Sequence, residues 1–155
     1  MTEVLTSVTY SREILSPLLA AELVPMFAKH FDEVGLYKDI ALDPDWDFYF
    51  QAQTANKLRI YTARDEQGKL IGYSVYFVGT HPHHRFSPQA RHDLFFIPKE
   101  NRGFGFRFLR WCGEQLKAEG YKVEYMHVSA KYDWSSMARR AGFEPVETVW
   151  ARRLD

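Results

Sequence analysis

A strand that leads through a glycine-rich turn into an amphipathic helix constrains the fold of this chain more than any other feature. The apolar run 92–98 predicts a buried strand that stops at Pro98. The turn Arg102-Gly103-Phe104-Gly105 then opens a helix that extends to about Ala118, with apolar residues at helical spacing. Glycines let a ligand approach the backbone, and the first amides of a helix are unpaired donors in a favourable dipole field. The junction therefore predicts an anion cradle that suits two phosphates of a cofactor.

Hydrophobic periodicity divides the rest of the chain into short helices and strands without repeats or linkers, so we expect one domain over residues 1–155. Residues 58–65 and 69–79 alternate with period two around a turn and predict an antiparallel hairpin. The order of elements predicts an α/β (α+β) fold with a mixed, mostly antiparallel central sheet flanked by helices. The other expected elements are a strand at Val4–Tyr10, a helix from Pro17 to Gly35 that Pro25 kinks or splits, a helix from Asp43 to about Asn56, a loop at 80–90, a strand at 122–129, a short helix at Trp134–Ala141 and a strand at 146–154.

Composition excludes several classes of protein. The chain has 20 basic and 20 acidic side chains, and this balance argues against a nucleic-acid partner. No stretch approaches the ~20 apolar residues of a membrane span, and the N-terminus lacks the pattern of a secretory signal. The single cysteine, Cys112, excludes an internal disulfide and a cysteine-rich zinc site. His81, His83 and His84 have no carboxylate or cysteine at ligand spacing, so we expect no metal. These features indicate a cytoplasmic protein that does not bind membranes.

The charges are unevenly distributed along the chain. Residues 1–77 carry 7 basic and 11 acidic side chains, whereas residues 78–155 carry 13 basic and 9 acidic ones. Such a dipolar molecule could hold an anionic cofactor at one end and a cationic substrate at the other, although a solvated loop and an ordinary basic helix face explain the same pattern. The acidic residues crowd into one segment, which contains Asp32, Glu33, Asp39, Asp43, Asp45 and Asp47.

The glycine turn resembles the cofactor-binding motif of the GCN5-related N-acetyltransferases (the GNAT family), in which a strand is followed by Gln/Arg-x-x-Gly-x-Gly/Ala and a helix. Arg102 and Gly105 match the first and fourth positions, and Arg107 stands at the sixth in place of a small residue. The segment SSMARRAGFEP (135–145) is similar to a second family signature, a short helix that ends in a Gly-Phe pair. The resemblance covers roughly residues 58–150. It implies the acyl-CoA N-acyltransferase fold and transfer of acetyl from acetyl-CoA directly to a primary amine.

The resemblance also implies where acetyl-CoA binds. The cofactor would lie in a V-shaped gap between the strand 92–97 and the strand 122–129. Amides of the turn would hold the pyrophosphate, the Arg107 side chain could pair with a phosphate, and the strand backbone would bind the pantetheine arm and polarise the thioester. The implied cofactor-binding residues are Phe95, Phe96, Ile97, Arg102, Gly103, Phe104, Gly105, Phe106, Arg107 and Ser129.

The chemistry needs a base, because an amine is mostly protonated at pH 7 and must lose a proton to attack the thioester. Asp93 stands where several family members place a carboxylate base, and His92 is an adjacent candidate on the opposite face of the strand. An ion pair between Asp93 and Arg91 or another cation is the structural alternative. The family's usual acid, a tyrosine, is replaced by Ala138, which leaves Tyr132, Ser135 or Ser136 as candidates near the sulfur, or a thiolate that leaves without an acid.

The acceptor implied by the resemblance is an amine on a small molecule or a protein. In this family the helix–loop–helix region around residues 32–47 shapes the acceptor site, and its negative charge would suit a polyamine, an aminoglycoside or a lysine side chain. The aromatic residues Tyr37, Trp46, Tyr49 and Phe50 could wall a pocket or belong to the core. The protein would act as a monomer or a homodimer. A catalytically silent module that binds a protein partner or coenzyme A is the rival hypothesis.

Overall fold

The computed structural model describes residues 7–155 and has a five-stranded mixed sheet at its centre. The strands are β1 (Thr9–Glu13), β2 (Leu58–Arg64), β3 (Leu70–His81), β4 (His84–Phe96) and β5 (Val123–Tyr125). The helices are α1 (Pro17–Val34), α2 (Trp46–Thr54), α3 (Gly105–Ala118) and α4 (Ser135–Arg140), and a 3₁₀ turn at Lys99–Asn101 follows β4. The strands lie in chain order across the sheet; β1 to β4 are antiparallel neighbours, and β5 is parallel to β4. The predicted mixed, mostly antiparallel sheet with flanking helices is confirmed.

Helices cover both faces of the sheet, because alternate residues of its central strands point to opposite sides. Ile60 of β2 belongs to the core under α1, whereas its neighbour Tyr61 belongs to the core under α3. β2 and β3 are buried on both sides. Because both helical layers pack closely against these strands, each layer has a fixed position relative to β4. The core under α1 includes Leu19, Leu23, Phe27, Ile60, Tyr73, Val75 and Phe96, and the core under α3 includes Tyr61, Ile71, Tyr76, Phe108, Cys112 and Leu116.

Helix α1 begins as its sequence predicts and continues through its internal proline. The Ser16 side chain accepts a hydrogen bond from the Leu19 amide at 3.1 Å, and Pro17 is the first helical residue. The expected split at Pro25 is wrong, because the helix is continuous through this residue. Pro25 has no amide hydrogen to donate to the carbonyl of Ala21. Both residues are exposed, so water can donate to that carbonyl instead. No helix within residues 7–155 has the length and apolar character needed to cross a bilayer.

The segment 80–90 is the end of a long β-hairpin and not the loop that its composition predicts. β3 continues to His81 and β4 starts at His84, so that Thr80 pairs with Pro88. A ladder is made by backbone groups, and an exposed end of a sheet does not require the apolar alternation on which the prediction rested. Pro88 is tolerated because it lies just before the residues that pair with β5, where the ladder needs no donor.

Both terminal strands differ from their predictions. β1 spans Thr9–Glu13, later than the expected Val4–Tyr10, of which residues 4–6 lie outside the described part of the chain. The strand expected at 146–154 is absent from the structure, which shows no regular element there. Its apolar side chains are exposed, Trp150 by 90%. An alternating pattern forms a strand only beside an edge with free backbone partners, and the three residues of β5 offer too few.

Arg64 joins β1, α1 and β2 through a network of charge-assisted hydrogen bonds. Its guanidinium donates to Glu13 Oε1 at 2.7 Å and to Glu22 Oε1 at 2.8 Å. These hydrogen bonds lower the pKa of both Glu13 and Glu22 below the ordinary glutamate value. A lowered carboxyl pKa stabilises the fold above the unfolded-state pKa, and this contribution is lost as the pH falls through the folded-state pKa.

We expect Arg64→Met to lower the free energy of unfolding by about 1–2 kcal/mol at pH 7, because all three side chains are partly exposed and solvent screens the network. Urea denaturation should show this difference shrink as the pH falls below the ordinary glutamate pKa of about 4.3. Arg110→Met is the matched control, since its ion pair with Glu114 is long (3.7 Å) and exposed. A difference between wild type and Arg64→Met that does not change with pH would contradict this account.

Candidate active site

The parallel strands β4 and β5 pair over three residues and then separate. Gln89–Arg91 pair with Val123–Tyr125, and the expected strand 122–129 stops there because the chain beyond Tyr125 leaves the ladder. Within residues 7–155, the edge of β4 from His92 onward therefore has no strand beside it on this side. A cavity of about 650 Å³ occupies the gap, which we call the inter-strand cavity. It matches the V-shaped gap that the family resemblance implies.

One end of the inter-strand cavity is formed by the N-terminus of α3. Gly103 has φ +135°, a backbone conformation that side chains with a Cβ rarely adopt, and a Cβ on Gly105 would lie 3.2 Å from Ile97 Cδ1. In the part of the chain that the structure describes, no side chain caps this helix at Phe104. Its first amides are therefore donors available to a ligand, and the dipole of the 14-residue helix favours a negative one.

An ion pair and a tyrosine cross this end of the cavity. Arg102 Nη2 donates to Glu33 Oε2 of α1 at 2.8 Å, while Arg102 Nη1 donates to the Tyr132 hydroxyl. The Tyr132 ring also lies under the guanidinium, 5.0 Å from its carbon. These contacts link α1, the turn before α3 and the segment after β5, so three separate parts of the chain meet at the end of the cavity formed by the N-terminus of α3.

A second arginine lies at this end, and it is not the one that the sequence predicts. Arg140 of α4 lines the cavity, with its guanidinium 4.5 Å from the centre of the Phe106 ring. The Arg107 side chain does not line it. Arg107 lies instead close enough to Tyr10 of β1 to oppose the rise in the pKa of that phenol. The prediction that the Arg107 side chain reaches the cofactor site therefore receives no support from its position, whereas its amide remains in the first turn of α3.

Asp93 is placed at the cavity wall by a β-bulge. Tyr76 pairs with His92 and Val75 with Leu94, which leaves Asp93 as the extra residue of β4. The Tyr49 hydroxyl of α2 donates to Asp93 Oδ2 at 2.7 Å. Burial raises the pKa of Asp93, and the hydrogen bond from Tyr49 partly opposes that rise.

The expected alternative partner of Asp93 is engaged elsewhere. Arg91 lies over the Tyr125 ring at 4.4 Å, and the structure shows no ion pair of Asp93 within residues 7–155. Asp93 is thus a half-buried carboxylate with no ion-pair partner among the described residues, and one hydroxyl holds it at the edge of a cavity. Such a carboxylate can accept a proton from a ligand.

His92 lies beside Asp93 but in different surroundings. Its ring contacts those of Tyr76 and Phe95, and its Nδ1 accepts a hydrogen bond from the His127 amide at 3.4 Å. Burial lowers the pKa of His92 to about 3. The imidazole is therefore neutral at physiological pH and a poor proton acceptor, which favours Asp93 of the two predicted bases.

Glu124 has a pKa suited to a general base but lies in the wrong place. Burial raises the pKa of this β5 carboxyl to about 7, and the Tyr76 hydroxyl donates to it at 2.8 Å. Its Oε2 is close to Gly113 of α3, behind the sheet, and the side chain does not line the inter-strand cavity. A base must reach the proton that it removes, so position excludes Glu124 from this role.

The other predicted site residues separate into two groups. Phe104 is buried in the core under α3, and Ser135 begins α4 outside the cavity. No group of three or more His, Cys, Asp or Glu side chains among residues 7–155 could hold a metal ion. The predicted residues that line the cavity are His92, Asp93, Phe95, Phe96, Ile97, Arg102, Gly103, Gly105, Phe106, Ser129 and Tyr132.

Sequence reasoning missed several residues of this site. His30, His127, Trp134 and Arg140 line the inter-strand cavity, and Trp134 stacks on Phe95 at 5.6 Å between ring centres. Trp134 and Arg140 flank the short helix of the Gly-Phe signature, and that neighbourhood was the one available signal. His30 occupies an ordinary position on α1, and nothing in its local sequence sets it apart.

Comparison with known proteins identifies the fold. No protein-family model and no curated protein matches the chain. The aminoglycoside acetyltransferase meta-AAC0020 from an uncultured soil metagenomic sample, in complex with sisomicin, has a TM-score of 0.73 at 16% identity over 96% of this chain and 95% of that one. Glucosamine-6-phosphate N-acetyltransferase from Arabidopsis thaliana has 0.68 at 11% identity, over 95% and 99%. A predicted acetyltransferase with acetyl-CoA from Clostridium acetobutylicum has 0.65 at 12% identity, over 96% and 97%.

These likenesses extend over nearly the whole chain at low identity and show the fold. The chain has the acyl-CoA N-acyltransferase fold of the GNAT family. The resemblance inferred from the two glycine motifs is thereby confirmed at the level of the fold.

We expect Arg140→Ala to weaken binding of coenzyme A about tenfold, because a guanidinium that lines the cavity beside an uncapped helix can pair with a phosphate. Arg107→Ala, in the first turn of α3, is the matched control and should change the affinity by less than about twofold, since its side chain does not line the cavity. Isothermal titration calorimetry with coenzyme A measures both. The opposite order of effects would show that Arg107 is the phosphate ligand.

Proposed function

We propose that this protein is an acetyl-CoA-dependent N-acetyltransferase that transfers the acetyl group directly to a primary amine. The observation that carries the proposal is the separation of β4 from β5 directly above the uncapped N-terminus of α3. This arrangement combines donors for a diphosphate with an unpaired strand edge and a carboxylate in one cavity. The fold likeness to acetyltransferases supports it.

The cavity fits the proposed cofactor on its own chemistry. The amides of Gly103, Gly105 and Phe106, with the Arg102 and Arg140 side chains nearby, suit the pyrophosphate. Backbone groups of residues 95–97 suit the amide groups of the pantetheine arm. When bound, acetyl-CoA would supply an acetyl thioester as the electrophile.

Asp93 acts as the general base in this proposal. The ammonium form first loses one proton to water. The neutral amine nitrogen then forms a bond to the acyl carbon, the carbon–sulfur bond breaks, and the nitrogen loses its second proton to the Asp93 carboxylate. Tyr49 holds that carboxylate in place through its hydroxyl. The released thiolate takes a proton from Tyr132, whose oxygen already accepts a hydrogen bond from Arg102, or from water.

We expect Asp93→Asn to lower kcat by about 10²- to 10⁴-fold, the usual contribution of a positioned base. Thiol release from acetyl-CoA across a panel of primary amines measures the activity, and coenzyme A affinity should stay unchanged. Asp47→Asn, an exposed carboxylate of α2, is the matched control and should keep full activity. If the wild type binds coenzyme A but releases no thiol with any amine, the catalytically silent module, which the loss of the family's tyrosine at Ala138 favours, replaces this proposal.

Tyr49→Phe tests the role of the hydroxyl as a positioning group. Its hydrogen bond lowers the pKa of Asp93, so its removal should raise that pKa. The carboxylate form of Asp93 then appears only at higher pH, and we expect the acid limb of the plot of kcat against pH to shift to higher pH. An unchanged acid limb in Tyr49→Phe would show that Tyr49 does not position the base.

A further inference from the structure

A second cavity, of about 420 Å³, lies between α1, the loop 35–44 and α2. We call it the apolar cavity, because most of its wall is hydrocarbon and Asp43 is the one carboxylate among the residues that line it. Its principal apolar residues are Phe27, Phe31, Leu36, Ile40, Leu42 and Leu94.

The two cavities meet at the proposed base. His30, Val34 and Leu94 line both of them. Tyr49 lines the apolar cavity and Asp93 lines the inter-strand cavity, and the 2.7 Å hydrogen bond between these two side chains lies across the boundary. Asp93 itself does not line the apolar cavity, so a molecule there would reach it past the Tyr49 hydroxyl, at the wall that the two cavities share.

The boundary residue His30 adds no positive charge to this wall. Its ring stacks on Phe96 at 4.7 Å between centres, and its Nδ1 lies 2.9 Å from the Tyr73 hydroxyl. Burial lowers the pKa of His30 to about 4, so the ring is neutral at physiological pH. An uncharged aromatic wall suits an apolar ligand.

Three of the six carboxylates of the acidic segment have partners elsewhere, and Asp43 alone of the six lines the apolar cavity. Glu33 pairs with Arg102, Asp39 pairs with Arg153, and Asp45 accepts from the Phe48 amide to cap α2. The segment therefore does not present a concentrated negative surface to the cavity, as a polycationic acceptor would require.

Exposed apolar side chains surround the mouth of the apolar cavity. Three of them lie in the loop 35–44: Leu36, Ile40 and Leu42, which are 66%, 53% and 43% exposed. Contact between an apolar ligand and these side chains would remove hydrocarbon from water on both partners, which is favourable in proportion to the area covered.

We infer that the acceptor is a primary amine carried on an apolar body, alkyl or aromatic, which fills the apolar cavity and presents its nitrogen to Asp93. This inference rests on the proposed function and narrows it. It disfavours polyamines and aminoglycosides, whose repeated ammonium groups would be desolvated against hydrocarbon without partners.

The test compares kcat/KM for n-alkylamines from propylamine to hexylamine with that for spermidine, using thiol release from acetyl-CoA. Each added methylene that enters the cavity should raise kcat/KM about threefold to fourfold. We expect hexylamine to exceed spermidine by at least tenfold. A flat series, or spermidine as the best substrate, would overturn the inference while leaving the acetyltransferase proposal intact.

Leu42→Asp provides the structural control, because it places a charge in the cavity wall within an exposed loop. It should raise KM for hexylamine at least tenfold and flatten the alkyl series, with coenzyme A affinity unchanged. Leu18→Asp, at a position on α1 that is 75% exposed and outside the cavity, should behave like the wild type. Equal effects of the two variants would show that the acceptor does not bind in the apolar cavity. Thiol release that is absent for every amine would instead defeat the proposed function itself.

Discussion

The termination of the β4–β5 ladder at Arg91 is the constraint on which the rest of the site depends. Parallel strands normally satisfy each other's backbone groups, and here the pairing stops after three residues. The separation exposes the edge of β4, opens the inter-strand cavity and leaves the N-terminus of α3 at its end. The free strand edge and the cavity beside it are consequences of that one interruption in the sheet.

The rigidity of the surrounding sheet allows the interruption to persist. β2 and β3 are covered by helices on both faces, and Arg64 ties β1 and α1 to β2 with short hydrogen bonds. α3 is held against this platform by Phe108 and Leu116, so the amides at its N-terminus have a fixed position relative to β4. The bulge at Asp93 then directs one carboxylate toward α2, where Tyr49 orients it.

Local sequence predicted the features that depend on local chemistry. The turn at Gly103 and Gly105, the Ser16 cap and the 58–79 hairpin each follow from residues that are close in the chain. The predictions that failed concern segments whose structure depends on which strand edges have free backbone groups to pair with. The polar run 80–90 finds a partner in β3, and the alternating run 146–154 finds none. The contact between Tyr49 and Asp93 joins residues 44 positions apart across a bulge, and no periodicity in the sequence records it.

The ion pair between Arg102 and Glu33 has a consequence for molecular discrimination. Because this guanidinium already has a carboxylate beside it, a diphosphate bound as proposed would exchange one anionic neighbour for another at Arg102 and would gain little net attraction from that one side chain. Selection then depends on the spacing of directed backbone donors, which a simple anion such as chloride or sulfate cannot match at every point.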